Sequence, residues 1–173
     1  MAETRPLRVL LADDHIVVRT GLVSIIQARP DMTVVAEAVS GEQAIELYRR
    51  HRPDLVLMDL RMPGLDGVEA MKSIRGEFRD ARFLVLTMYR RDEDVYRAFC
   101  AGALGYVLKS ASSDELIAAV RAVGQGRRYI PPACRASRHW ETSAMTCSTL
   151  ASALAATASN CCVSEPPAIG ISQ

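Results

Sequence analysis

Between residue 7 and about residue 126, short apolar runs alternate with stretches whose apolar residues recur every three or four positions. The runs at 7–12, 33–39, 54–58, 81–86 and 105–108 are rich in Val and Leu, so they read as strands. The second is the weakest and is expected nearer a sheet edge. The gaps carry helical patterns. Residues 16–28 place Val17, Val18, Leu22, Ile25 and Ile26 on one stripe. Ser40-Gly41-Glu42-Gln43 and Ser112-Ser113-Asp114-Glu115 are capping boxes, opening helices that run to about Arg50 and to Val123. Further helices are predicted from Val68 to about Gly76 and over 92–101, with Gly102 as the C-terminal cap of the latter.

Strands this apolar need cover on both faces, which is the signature of a parallel α/β domain. Five βα units joined by right-handed crossovers predict a doubly wound (βα)5 three-layer sandwich of the flavodoxin-like class, with strand order 2-1-3-4-5. Its switch point lies between strands 1 and 3. Asp13-Asp14 end the first of these and Asp59 ends the other. Topology therefore predicts that three carboxylates meet in one crevice.

Charge narrows the function only a little. Lys and Arg number 21 against 20 Asp and Glu, so no basic excess over the whole chain marks a nucleic-acid footprint. The first residues lack the layout of a secretion signal, and no apolar run has the ~18 residues of a membrane span. The expectation is a cytoplasmic protein. Four of the five cysteines lie beyond residue 132, and their spacing with His139 fits no zinc pattern, so incidental thiols are expected.

The chemistry concentrates at the strand ends. A carboxylate attacks a phosphoryl group poorly, because both are anionic, and a divalent cation must neutralise that repulsion. Magnesium prefers oxygen ligands. Asp14 and Asp59 are candidate direct ligands of Mg²⁺, Asp13 a direct or water-mediated one, and the main-chain carbonyl of Arg61 completes the set. Lys109, ending strand 5, is a candidate phosphate partner, and the Thr87 hydroxyl, ending strand 4, a candidate donor to a phosphoryl oxygen. Tyr106 is a candidate switch residue, alternating between exposed and buried positions as the Thr87 loop moves. Each has a plainer reading: Asp14 as helix cap, Asp59 as loop cap, Thr87 as a strand residue, Tyr106 as a half-buried aromatic, Lys109 as a surface lysine. His15 adjoins the acidic pair but is not a preferred magnesium ligand.

The strings at 10–15 (LLADDH), 57–67 (LMDLRMPGLDG), 86–89 (LTMY) and 102–110 (GALGYVLKS), in this order and spacing, resemble the receiver domain of bacterial two-component response regulators of the NarL/FixJ (LuxR) type. The resemblance covers residues 7 to about 126. It implies that Asp59 accepts a phosphoryl group from a phosphohistidine on a sensor histidine kinase. It implies Mg²⁺ at Asp13, Asp14 and Asp59, Lys109 as phosphate partner, and Thr87 with Tyr106 as the switch pair. The protein would then be a phosphoacceptor in signalling rather than an enzyme. Dimers through helix 1 with helix 5, or through helix 4, strand 5 and helix 5, are both open. Arg61 and Tyr89, two residues beyond Asp59 and Thr87, are bulky enough to hinder attacking water, so a long-lived phosphoryl form is expected.

Two departures qualify the resemblance. Ser110 follows Lys109 where many receivers carry a cis-proline. Residues 1–126 are expected to form the receiver and 127–132 the start of a linker. Residues 133–173 hold only Arg135, Arg138, Glu141 and Glu165 as charges and show no persistent amphipathic stripe, which predicts a disordered or loosely packed tail. They have neither the length nor the periodicity of a helix-turn-helix domain, as a shifted reading frame would produce, so direct DNA binding is not expected. The alternatives are a stand-alone relay module and, more remotely, an aspartyl-phosphate phosphatase. The haloacid-dehalogenase pattern of the latter needs Asp-x-Asp on the first strand, where this chain has Asp-Asp.

Overall fold

The computed structural model describes residues 5–88 and 92–131. Ten elements alternate along it: β1 (Leu7–Ala12), α1 (Ile16–Gln27), β2 (Met32–Ala38), α2 (Gly41–His51), β3 (Leu55–Asp59), α3 (Gly67–Glu77), β4 (Phe83–Thr87), α4 (Asp92–Cys100), β5 (Gly105–Leu108) and α5 (Ser113–Gly124). All pairs are parallel, and the sheet order is β2-β1-β3-β4-β5, as predicted. The tail lies outside the described residues.

Alternation along the strands builds two cores. Leu10, Val56, Met58, Phe83 and Val85 face one helix layer, where they pack with Met71 and Ile74 of α3. Val9, Leu11, Leu55, Leu57, Leu84 and Leu86 face the other, with Ile26 of α1 and Ile117 and Val120 of α5. Burying each such Leu or Phe contributes about 1.5–3 kcal/mol, which holds the rim above in place.

Both predicted serine N-caps form. Ser40 and Ser112 accept hydrogen bonds from Gln43 and Glu115 at 3.3 and 3.2 Å. Gln43 Oε1 accepts from Val39 N at 2.7 Å, one residue before the N-cap that a capping box would use. Gly102, at φ 100°, reverses the chain after α4, as expected. Two strands end on the polar residues expected there, one position beyond their apolar runs. Asp59 and Thr87 are the last residues of β3 and β4, in register with Leu86 and Leu108, because the parallel ladder carries polar residues that apolar patterning leaves out. Cys100 is disulfide-bonded, which corrects the expectation of an incidental thiol for this cysteine. The other four lie outside the described residues.

One glycine ties the fold to the rim. A Cβ on Gly67 would stand 2.0 Å from the carbonyl oxygen of Asp59. Only a bare backbone lets α3 start this close to the end of β3. Gly67→Ala is expected to cost about 3 kcal/mol through the backbone shift it forces, read from chemical denaturation; a loss under about 1 kcal/mol would show the contact is easily relaxed.

Candidate functional site

The β1–β2 pairing extends one residue past β1, since Asp13 N donates to Ala38 O at 3.1 Å. That places Asp13 fully buried between two strand ends. Its Oδ1 accepts from His15 N at 2.8 Å. His15 occupies the N-cap position of α1 and makes no side-chain cap. Asp14 is therefore not spent on capping, which removes its plainer reading. Asp59, also buried, takes one bond of the loop-capping kind, from Arg61 N to its Oδ1 at 3.1 Å. Its other oxygen is left to the cluster.

Lys109 reaches that cluster without a proline after it. Lys109 N donates to Thr87 O at 2.9 Å, fixing the strand end, and Ala111 N closes a turn onto Leu108 O. Its ammonium, 3% exposed, stands 2.5 Å from Asp59 Oδ2 and 2.7 Å from Asp13 Oδ2. The first contact is a hydrogen bond; the second is an ion pair without hydrogen-bond alignment. A surface lysine would not be buried like this.

Asp13, Asp14, His15 and Asp59 each offer a ligand atom, all within 4.8 Å of one another. Asp13 Oδ2 and Asp14 Oδ1 are buried without a hydrogen-bond partner. His15 Nδ1 lies 2.8 Å from the latter, again without alignment, so the histidine stands closer to the cluster than the sequence suggests. Buried acceptors are nearly always paired. Two buried oxygens with a charged neighbour but no aligned donor, among three carboxylates, fit a hard divalent cation.

The electrostatics agree. Burial pushes the Asp59 carboxyl above the ordinary carboxylate range, more than the Lys109 and Arg61 hydrogen bonds pull it down. Burial also pulls the Lys109 ammonium down, but the carboxylates of Asp13 and Asp59 beside it outweigh this and hold it above its ordinary value. A carboxyl raised on folding contributes stability that is complete below its unfolded pKa and is lost as pH rises through its folded one. Ionised Asp59 therefore works against folding at neutral pH unless a cation joins it.

A cleft of about 610 Å³ borders the cluster, lined by Asp14, His15, Arg61, Asp66, Asp94 and Arg97 among others. Arg61 Nη2 pairs with Asp94 Oδ2 at 3.2 Å and Arg97 Nη2 with Asp66 Oδ2 at 3.4 Å, so two ion pairs join the β3–α3 loop to α4. Sequence reasoning missed Asp66, Asp94 and Arg97. Asp66 alone left a signal, as the α3 N-cap that accepts from Glu69 N at 2.8 Å. Thr87 is 8% exposed and Tyr106 is buried, its ring edge-on to Phe99 of α4 with centroids 6.4 Å apart. Tyr89 lies outside the described residues.

The family described as the response regulator receiver domain matches residues 9–121. The transcriptional regulatory protein LiaR of Bacillus subtilis is 44% identical over 120 residues, covering 69% of this chain and 57% of that protein. The nitrate/nitrite response regulator protein NarL of Escherichia coli is 39% identical over 133 residues, covering 77% and 62%. The chain thus spans about three-fifths of the length of these relatives. A crystal structure of a LuxR-family two-component response regulator from Aurantimonas sp. SI85-9A1 is similar at a TM-score of 0.74 and 42% identity, covering 79% of this chain and 98% of that one.

Proposed function

The chain belongs to the response regulator receiver domain family, within the NarL/LuxR lineage, and on that premise we propose that Asp59 is its phosphoacceptor. The phosphoryl group comes from a phosphohistidine of a sensor histidine kinase. The P–N bond breaks as an Asp59 oxygen bonds to phosphorus. The observation that carries this reading is Asp59 itself: a buried carboxylate at the end of β3, 2.5 Å from a buried lysine and clustered with two more carboxylates, one of which, Asp14, lines an open cleft.

Asp13, Asp14, Asp59 and the Arg61 carbonyl would hold Mg²⁺, with His15 beside Asp14. The ion supplies positive charge that lets anionic nucleophile and anionic phosphoryl group approach. Lys109 holds phosphoryl oxygens as a point charge, and the Thr87 hydroxyl donates to another. Tyr106 couples the Thr87 segment to α4 through Phe99, which makes Thr87 and Tyr106 the switch pair. The protein acts as a cytoplasmic signalling domain in transcription regulation, not as a turnover enzyme; its catalysis is confined to its own phosphorylation and dephosphorylation. Residues 1–126 form this unit. Among the described residues no helix is long and apolar enough to cross a membrane.

Acetyl phosphate with Mg²⁺ is expected to add one phosphoryl group, seen by intact mass, and chelation with EDTA to prevent it. No incorporation under any donor would reject the assignment. Mg²⁺ alone should stabilise the protein, by about 2.7 kcal/mol at a hundredfold excess over its Kd. An unfolding midpoint indifferent to Mg²⁺ would remove the metal from the site. Arg61→Ala opens the cleft bordering the cluster to water and is expected to shorten the phosphoryl lifetime several-fold in single-turnover decay; an unchanged lifetime would show that Arg61 does not shield it.

A further inference from the structure

The near-zero net charge conceals a segregation. In a parallel βα repeat every helix begins at the rim that holds Asp59 and ends at the opposite pole. The rim collects Asp13, Asp14, Asp59, Asp66 and Asp94, which outnumber the cations Arg61, Arg97 and Lys109 that pair with them. The far pole collects Arg49, Arg50 and Arg52 at the end of α2, Arg79 after α3, and Arg127 and Arg128 after α5, against Asp31, Asp54, Glu77 and Asp80, of which the first three are already paired with arginines.

Contacts join these arginines into one surface. Arg49 pairs with Glu77, tying the end of α2 to the end of α3. The Arg52 guanidinium lies 3.7 Å from the centroid of the Phe78 ring. Arg82, at the start of β4, donates to the carbonyl of Gly124 at the end of α5. Part of this charge has a local use, since cations complement helix C-termini. Arg79 and Arg128 lie past their helices, and they and Arg50 of the last α2 turn are exposed and make no hydrogen bond or ion pair among the described residues.

We propose that this pole binds the phosphate backbone of duplex DNA, without sequence preference and independently of phosphorylation at Asp59. Guanidinium groups suit phosphate, which they bind through two parallel donors. A protein partner fits the pole less well, because protein interfaces centre on aromatic and apolar anchors. The exposed large apolar residues Ile16, Val17, Val39 and Met88 all lie toward the rim, and Tyr96 lies on α4. The acidic rim repels the same polyanion, which leaves one docking orientation.

The test is fluorescence anisotropy of a short labelled duplex of arbitrary sequence, titrated with the full chain at several salt concentrations. Expected are a Kd of about 10⁻⁴ to 10⁻⁶ M, equal for a scrambled duplex, and a log–log salt slope of about −3 from the three unpaired arginines. The triple variant Arg50→Glu, Arg79→Glu, Arg128→Glu should weaken binding at least about tenfold, while Lys72→Glu in mid-α3 changes it less than about twofold. Circular dichroism and unchanged labelling by acetyl phosphate would show that the triple variant is folded. Absent or salt-insensitive binding, or a folded triple variant that binds like the parent, would overturn the proposal. So would head-to-tail self-association in sedimentation, lost in the triple variant and unaccompanied by DNA binding, which would assign the pole to a second copy.

Discussion

Asp59→Asn is expected to abolish phosphoryl incorporation from acetyl phosphate while leaving the protein folded. The amide keeps the shape of the carboxylate and can still accept the Arg61 N–H, so the β3–α3 loop has no reason to move. What it loses is the anionic oxygen that would bond to phosphorus. The same change should raise stability in EDTA, by on the order of 1 kcal/mol. Burial disfavours the Asp59 charge, and Asp13 and Asp14 add like charges around it. Mg²⁺ should stabilise the variant less than the parent, because one ligand is gone. Labelling at the parental level would move the acceptor elsewhere, and lower stability in EDTA would mean that the bond to Lys109 outweighs the burial.

Lys109→Met should do the reverse. It keeps an unbranched apolar stem but removes the ammonium that Asp13 and Asp59 share. Breaking a buried pair by deleting one partner typically costs about 3–5 kcal/mol, since the remaining charge is left uncompensated. The low end is expected here, because Mg²⁺ can replace part of the lost charge at the same carboxylates. The loss should therefore be larger in EDTA than in Mg²⁺, read as two denaturation midpoints. The comparison is Arg121→Met, which breaks the exposed pair with Asp31 and should change the midpoint little in either buffer. Equal losses for the two variants would show that Lys109 is no more than a surface cation.

Much of the site was legible because its chemistry sits where patterning stops. An apolar run that ends in Asp13-Asp14, Asp59, Thr87 or Lys109 marks a strand end, and βα alternation puts all strand ends at one rim. The partners across the cleft were not legible. Arg61 and Asp94 are 33 residues apart, and Arg97 and Asp66 are 31 apart. No period or spacing links such residues; they meet because α4 packs beside the β3–α3 loop.

The succession of strands and helices, the sheet order, the serine N-caps and the gathering of carboxylates all follow from the amino-acid order, because they depend on local periodicity and on the handedness of βα crossovers. The burial of Lys109 between Asp13 and Asp59, the buried carboxylate oxygens without an aligned donor and the division of charge between rim and pole arise only once the chain is packed. Each depends on distances between residues remote in sequence, and burial sets how strongly their charges act on one another.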